Sequence, residues 1–385
     1  MHSDADYLNF SAGPELAKRG YTVLCANTTG YNGPMDGKIL NAKAAVQYLR
    51  SLPGVKKVVL LGHSGGATLM TAYQALAENG VKAFQGPEKI SKTPDSLDGL
   101  PAADGVLLLD ANFGISSMML FSLDPAVSSE NSASQLKSEF DQLSPANGYD
   151  PSGSHYSADF IKKFQSAQAE RNARLIQTAQ DRQKLIDAGK GEYKDDEPMI
   201  VPGASQVAPN NKLYPLDVRL LSHTRKAWPL IHADGSITNE VVHTVRLPMK
   251  IPNFTQSFGM GALNTTVKSF LSSYAIRTKP DFSVGEDGVT GIDWTSSINN
   301  PPGNVQSISV PILMLGMTGS WEFMAAEVIY ENAKSADKAL QFIEGATHMI
   351  APNKAAEKTP GQFGDTIKTT YDAADRWLSQ SGRFF

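Results

Sequence analysis

Lys57-Val58-Val59-Leu60-Leu61-Gly62-His63-Ser64-Gly65-Gly66-Ala67-Thr68-Leu69-Met70 decides how this chain is to be read. Four apolar residues in a row, Val58 to Leu61, are too few for a helix and end at glycine, which predicts a buried parallel strand. The run from Ala67 to Ala77 holds no proline or glycine and is rich in helix formers. The stretch is therefore expected to be strand, sharp turn and helix. Within it, Gly62-x-Ser64-x-Gly66 is a nucleophile-elbow pattern, in which glycines two residues either side let strand and helix approach closely and hold a strained serine with its Oγ exposed.

The flanking sequence supports a parallel α/β arrangement. Leu16 to Gly20 predicts a short helix with a glycine stop, and Tyr21 to Ala26 a buried strand. Asn27 to Gly37 predicts a loop, and Ile39 to Leu52 a helix with Leu40, Ala44, Val46, Tyr48 and Leu49 as its candidate buried face. Gly105 to Asn112 is a further strand that runs into Asp110. The alternation resumes with a strand at Val310–Gly316, a helix at Ala325–Lys334, a strand at Ala339–Glu344 and an amphipathic helix at Asp365–Ser379.

Between these blocks the alternation breaks. A helix is expected from Ser157 to Gly189, with Ile161, Phe164, Leu175, Ala179 and Ile186 on one face. Trp228–His232 and Thr238–His243 suggest a hairpin about Asp234-Gly235, and Lys279 to Gly303 an irregular return. Residues 115–306 are expected to be an inserted cap or lid, and 1–114 with 307–385 the core. Trp228, Tyr214, Phe254, Phe258 and Met260 are the cap side chains that could line a pocket or simply pack.

Bulk properties narrow the function. The chain has 385 residues, 41% of them hydrophobic, enough for a sizeable core. Its net charge of −4, with no dense cluster of Lys and Arg, argues against a nucleic-acid or membrane-surface footprint and for a small-molecule partner. The single cysteine, Cys25, excludes disulfides within the chain. No apolar run has the length of a membrane span and no secretory segment precedes the first strand, which favours the cytoplasm. Oligomeric state is not legible. No cofactor is expected either, because metal-ligand spacing, a phosphate loop and a dinucleotide fingerprint are all absent.

A serine hydroxyl needs a base to take its proton, and that base needs an acid to orient it. Of the seven histidines, His348 follows the last strand in a Gly345-Ala346-Thr347-His348 loop, at the sheet edge where Ser64 is expected. His63 adjoins the serine but should point elsewhere, and His155, His223, His232 and His243 fall in the insertion. Together, Gly62-His63-Ser64-Gly65-Gly66, the Gly345–His348 loop and the insertion between them resemble the α/β-hydrolase family. The resemblance covers roughly residues 1 to 114 and 307 to 385 and implies a mostly parallel sheet flanked by helices, a large cap and acyl-transfer chemistry.

That resemblance leaves the acid open. Many members carry an aspartate about three residues beyond the glycine ending strand seven, a position held here by Gly319. Asp110, at the end of the strand after the elbow helix, is the preferred acid, as in branches that take it from strand six. Glu322 is the alternative, while Glu327 falls in the following helix. For the oxyanion, Gly65 should give one backbone N–H. The family's His-Gly-x loop after strand three is matched by His2-Ser3-Asp4, which implies Asp4 as the second donor. Since that loop opens the sequence, the resemblance also implies strands that precede Met1.

The expected function is a serine hydrolase acting on an ester-like bond (carboxylic ester, lactone or thioester) of a small to medium, largely apolar substrate. Acyl transfer would use the same groups. A receptor that retains the fold and only binds ligand is the alternative from another class. Serine at the elbow argues against chemistry that needs a carboxylate nucleophile.

Overall fold

A computed structural model describes residues 1–29, 34–205, 211–249 and 255–384. The chain divides into two compact units, one of Met1–Gly114, His223–Arg246 and Ile298–Phe385, the other of Ile115–Ser222 and Leu247–Ser297. These bounds differ from the single insertion over 115–306 expected from sequence: the hairpin segment and the residues from Ile298 onward lie in the first unit.

The first unit is built on a six-stranded sheet. Its strands are β1 (Val59–His63), β2 (Gly105–Leu109), β3 (His223–Ile231), β4 (Ile237–His243), β5 (Ile312–Met317) and β6 (Lys338–Ile343), in the spatial order β1-β2-β5-β6-β3-β4. All neighbours pair in parallel except β3 and β4, which form the antiparallel hairpin. Its helices include α1 (Ala12–Lys18), α2 (Met35–Ser51), α3 (Gly66–Asn79), α4 (Ala325–Asn332) and α5 (Thr366–Leu378).

The continuous apolar runs have the cause expected of them. Every residue of β2 and β5 is buried, because central strands of a parallel sheet are covered on both faces. Leu107, Leu109, Leu313 and Leu315 face a cluster that includes Leu16 of α1 and Tyr371, Ala374 and Trp377 of α5. Leu108 and Met314, each 1% exposed, alternate away from that cluster, and α3 and α4 pack against the strands as well. Burying each of these leucines contributes about 1.5–3 kcal/mol. Asp365 caps α5 by accepting from Lys368 N–H at 3.0 Å.

Several elements depart from the sequence expectation. Tyr21–Ala26 forms no strand and does not pair with β1. An extended segment becomes a strand only through a hydrogen-bonded neighbour, and here the segment instead lays Tyr21 and Val23 against the core cluster, with Tyr21 Oη donating to Asp375 at 2.7 Å. In α2 the buried face is Met35, Ile39, Ala42 and Val46, which keeps the helical period, while Leu40 and Tyr48 are exposed. The hairpin about Asp234-Gly235 does form, but as part of the main sheet.

The second unit contains the long helix Ala158–Asp187. Ser157 caps it by accepting from Phe160 N–H at 3.2 Å. The segment read as an irregular return holds an antiparallel pair, Arg277–Val284 with Val289–Asp293, whose strands were masked by Pro280 and the glycines of the turn. Of the possible pocket residues, Tyr214 is buried and Phe258 and Met260 are exposed; Trp228 lies on β3 of the first unit and donates to Glu327 at 2.6 Å. Phe254 lies outside the described residues. Among the described residues no helix is long and apolar enough to cross a membrane.

Gly62 shows why the elbow needs glycine. A Cβ there would stand 2.6 Å from Gly66 O and 2.8 Å from Ala67 N, both main-chain atoms that cannot swing aside. Gly62→Ala is expected to cost about 1–3 kcal/mol through overpacking. Urea unfolding should show the loss as a lower midpoint at unchanged slope.

Candidate active site

The sheet register aligns the C-terminal ends of its strands. His63 pairs with Leu109 and Leu109 with Leu315, so Ser64 and Asp110 leave adjacent strands at the same level. Ser64 N–H donates to Leu109 O at 3.2 Å, and Asp110 N–H to Leu315 O at 2.8 Å. Both residues then turn into the left-handed region, with φ of 54° at Ser64 and 38° at Asp110. Such backbone costs about 1–3 kcal/mol per residue and persists only where the surroundings impose it. At Ser64 the cause is the immediate start of α3, whose packing on β1 requires the sharp reversal.

His348 comes from the loop after β6. Thr347 N–H donates to Ala351 O at 2.8 Å, Ala346 bridges Pro352, and fully buried Ile350 (φ 70°) anchors the turn in the core cluster. The loops after β5 and β6 are laced together by Gly345 N–H to Thr318 Oγ1 and Gly319 N–H to Ala346 O, each at 2.8 Å. His348 is thus presented on a tight, cross-braced turn.

Asp110 and His348 meet directly. His348 Nδ1 lies 2.6 Å from Asp110 Oδ2, and Asp110 Oδ1 accepts from Met317 N–H at 3.1 Å. The second sequence candidate is present too: Glu322 Oε2 lies 3.6 Å from the same nitrogen, beyond hydrogen-bond reach but close enough for its charge to act. Burial pulls the His348 pKa down, but the hydrogen bond with Asp110 and the charges of Glu322 and Asp110 outweigh it and carry the value from 6.5 up to about 9. No hydrogen bond ends on Ser64 Oγ among the described residues, and Ser64 is 9% exposed. Hydrogen bonds of this kind are often loose without substrate.

The N-terminal loop lies against the elbow. A Cβ on Gly65 would stand 2.7 Å from Ser3 Oγ and 3.2 Å from His2 Nε2. Gly65 is the N-cap of α3, so its N–H belongs to the donors a helix leaves unsatisfied at its positive end. Asp4 differs from the expectation in what it does: its N–H donates to His2 Nδ1 at 2.9 Å, and its carboxylate pairs with the buried Lys38 Nζ. Burial lowers the His2 pKa to about 4, so its ring is neutral. Lys38, and Tyr7 beside His63, were not singled out by sequence reading. Each is close to the site only through the fold, and neither stands in a motif or a periodic pattern.

No family model matches the chain, and no curated protein matches it in sequence. Solved structures are similar only loosely. A monoacylglycerol lipase of Paleococcus ferrophilus is 11% identical, with 90% of this chain and 76% of that one covered, at a TM-score of 0.31. MenH of S. aureus is 12% identical, with 94% and 80% covered, at 0.29. A pyrethroid hydrolase of Sphingobium faniae is 10% identical, with 96% and 92% covered, at 0.29. Superpositions this loose carry no argument about chemistry. The mostly parallel sheet flanked by helices is that of the α/β-hydrolase fold.

Proposed function

We propose that this protein is a serine hydrolase that cleaves an ester-like bond of a small to medium, largely apolar substrate through an acyl-enzyme. The observation that carries the reading is the 2.6 Å contact of His348 Nδ1 with Asp110 at the sheet edge where Ser64 is held at positive φ. Ser64 Oγ attacks the carbonyl carbon as His348 Nε2 takes its proton, and Asp110 holds the ring and stabilises the imidazolium. The carbonyl oxygen, now negative, is received by Gly65 N–H at the start of α3. Asp4 N–H would have to leave His2 Nδ1 to take part. The imidazolium protonates the departing alcohol, and water, deprotonated by the same ring, releases the acid. Met349, 57% exposed next to His348, offers an apolar contact.

A short 4-nitrophenyl ester tests this reading. The expected result is a burst of one nitrophenolate per chain and an acyl mass on the peptide containing Ser64. Binding of the ester without burst or acyl mass would favour a receptor instead.

The pH dependence follows from the same geometry. A general base works as the neutral ring, and the ring is held protonated up to about pH 9. Activity is therefore expected to rise with pH until about 9, tenfold per unit on the acidic limb. Glu322→Gln removes one of the charges that hold the proton, and the limb should move to lower pH. A limb left in place would show that Glu322 does not act on His348. Stability runs the opposite way: the raised pKa contributes fully below about 6.5 and is lost as pH rises through about 9.

A further inference from the structure

His63 is fully buried one residue before the serine, and the proposed chemistry leaves it without a part. Three distant pieces of chain meet at its ring. Its Nε2 lies 2.6 Å from the main-chain oxygen of His348, and its Nδ1 lies 2.5 Å from Tyr7 Oη. The His348 ring stands 4.6 Å away between centroids, Phe10 4.7 Å and Tyr7 5.7 Å.

The partners dictate the protonation of this ring. A carbonyl oxygen can only accept, so Nε2 carries the hydrogen. Complete burial, then the charge on His348, push the His63 pKa well below 6.5, so the ring is neutral and Nδ1 has a lone pair. Tyr7 therefore donates to it, and burial raises the Tyr7 pKa, which keeps that proton in place. The charges that face the ring, on His348, His2 and the chain's amino terminus, all oppose a positive charge on it; the hydrogen bond to the His348 carbonyl favours one, but burial and the His348 charge outweigh it.

We propose that Tyr7 and His63 form a positioning device for His348: a neutral imidazole, locked as the Nε2–H tautomer, that grips the His348 carbonyl and so sets where its ring meets Asp110 and Ser64. The other ties in this loop end on neighbouring residues, Thr347, Ala346 and Ile350. Only the bond from His63 ends on the main chain of His348 itself among those described. Its neutrality matters as well, because a second imidazolium against the one formed on His348 would oppose the proton transfer. The inference rests on His348 being the base of the proposed reaction.

The test uses the full chain with His63→Leu, His63→Gln and Tyr7→Phe, read by ester kinetics and by the NMR signal of the proton between His348 Nδ1 and Asp110. Glutamine places an amide N–H where Nε2 stands. His63→Leu is expected to lower kcat by about 10²-fold at unchanged KM, the scale of a misplaced catalytic group. The His348 proton signal should shift or broaden in the same variant. His63→Gln should recover kcat to within about tenfold and restore the signal, and Tyr7→Phe should fall between. A His63→Leu protein with a lower Tm but an unchanged His348 signal and unchanged kcat per folded molecule would overturn the proposal. If His63→Leu does not fold, Tyr7→Phe with a wild-type signal would overturn it equally. Should the wild type turn over no ester, the function proposed above fails, while the NMR signal still reports whether His63 positions the ring.

Discussion

Ser64→Ala is expected to abolish the nitrophenolate burst and to lower ester turnover by about 10⁶-fold, the scale seen when a serine nucleophile is removed from a working constellation. Alanine keeps the Cβ and removes only Oγ, which carries no hydrogen bond among the described residues, so folding should be untouched. The strained backbone at φ 54° should even relax no further, since alanine is no more at ease there than serine. The measurement is burst amplitude and steady-state rate on an active-site-titrated preparation, with the unfolding midpoint as control. Turnover that survived the substitution would remove Ser64 from the chemistry and return the elbow to a glycine-rich turn.

The second large effect separates the two acids. Asp110→Asn keeps the shape and the contact with Met317 N–H, but a carboxamide can present its N–H to His348 Nδ1 and favour the wrong tautomer. A loss of about 10⁴ in kcat is the expected scale. Glu322→Gln should cost far less, at most about tenfold in kcat on the plateau above the acidic limb, because its oxygen stands 3.6 Å from the ring nitrogen and acts through charge and not through orientation. If Glu322→Gln were the more damaging of the two, Glu322 would be the orienting acid and the 2.6 Å contact with Asp110 secondary. The double variant should exceed neither the Ser64→Ala loss nor the sum of the singles, since groups acting as one unit are not additive.

How much of this was legible beforehand varies with the range of the physics. The strand, elbow and helix about Ser64 could be read because each is encoded locally: an apolar run, paired glycines and a helix-forming stretch in series. α5 and the long helix after Ser157 were legible for the same reason, with their caps and stripes in place. Tyr21–Ala26 was misread because its composition is that of a strand while strandhood belongs to a pair. The hairpin β3–β4 was recognised as a hairpin but assigned to the insertion, because nothing local says which sheet a strand joins.

For the candidate site, sequence could name Ser64, His348, Asp110 and Glu322, because motif, chain order and the ends of strands are one-dimensional facts. The sequence by itself determined a glycine-flanked serine between strand and helix, an acid at the end of the next strand and a histidine after the last. Only the tertiary structure decided that Asp110 is the acid in hydrogen-bond reach of His348 and that Glu322 stands one step behind it. It also decided that Asp4 N–H is engaged by His2, and that His63 grips the carbonyl of a residue 285 positions away. The reason is that a difference of 1 Å between two carboxylates, or the choice of ring nitrogen on a buried histidine, depends on how distant loops pack, and sequence spacing has no information at that range.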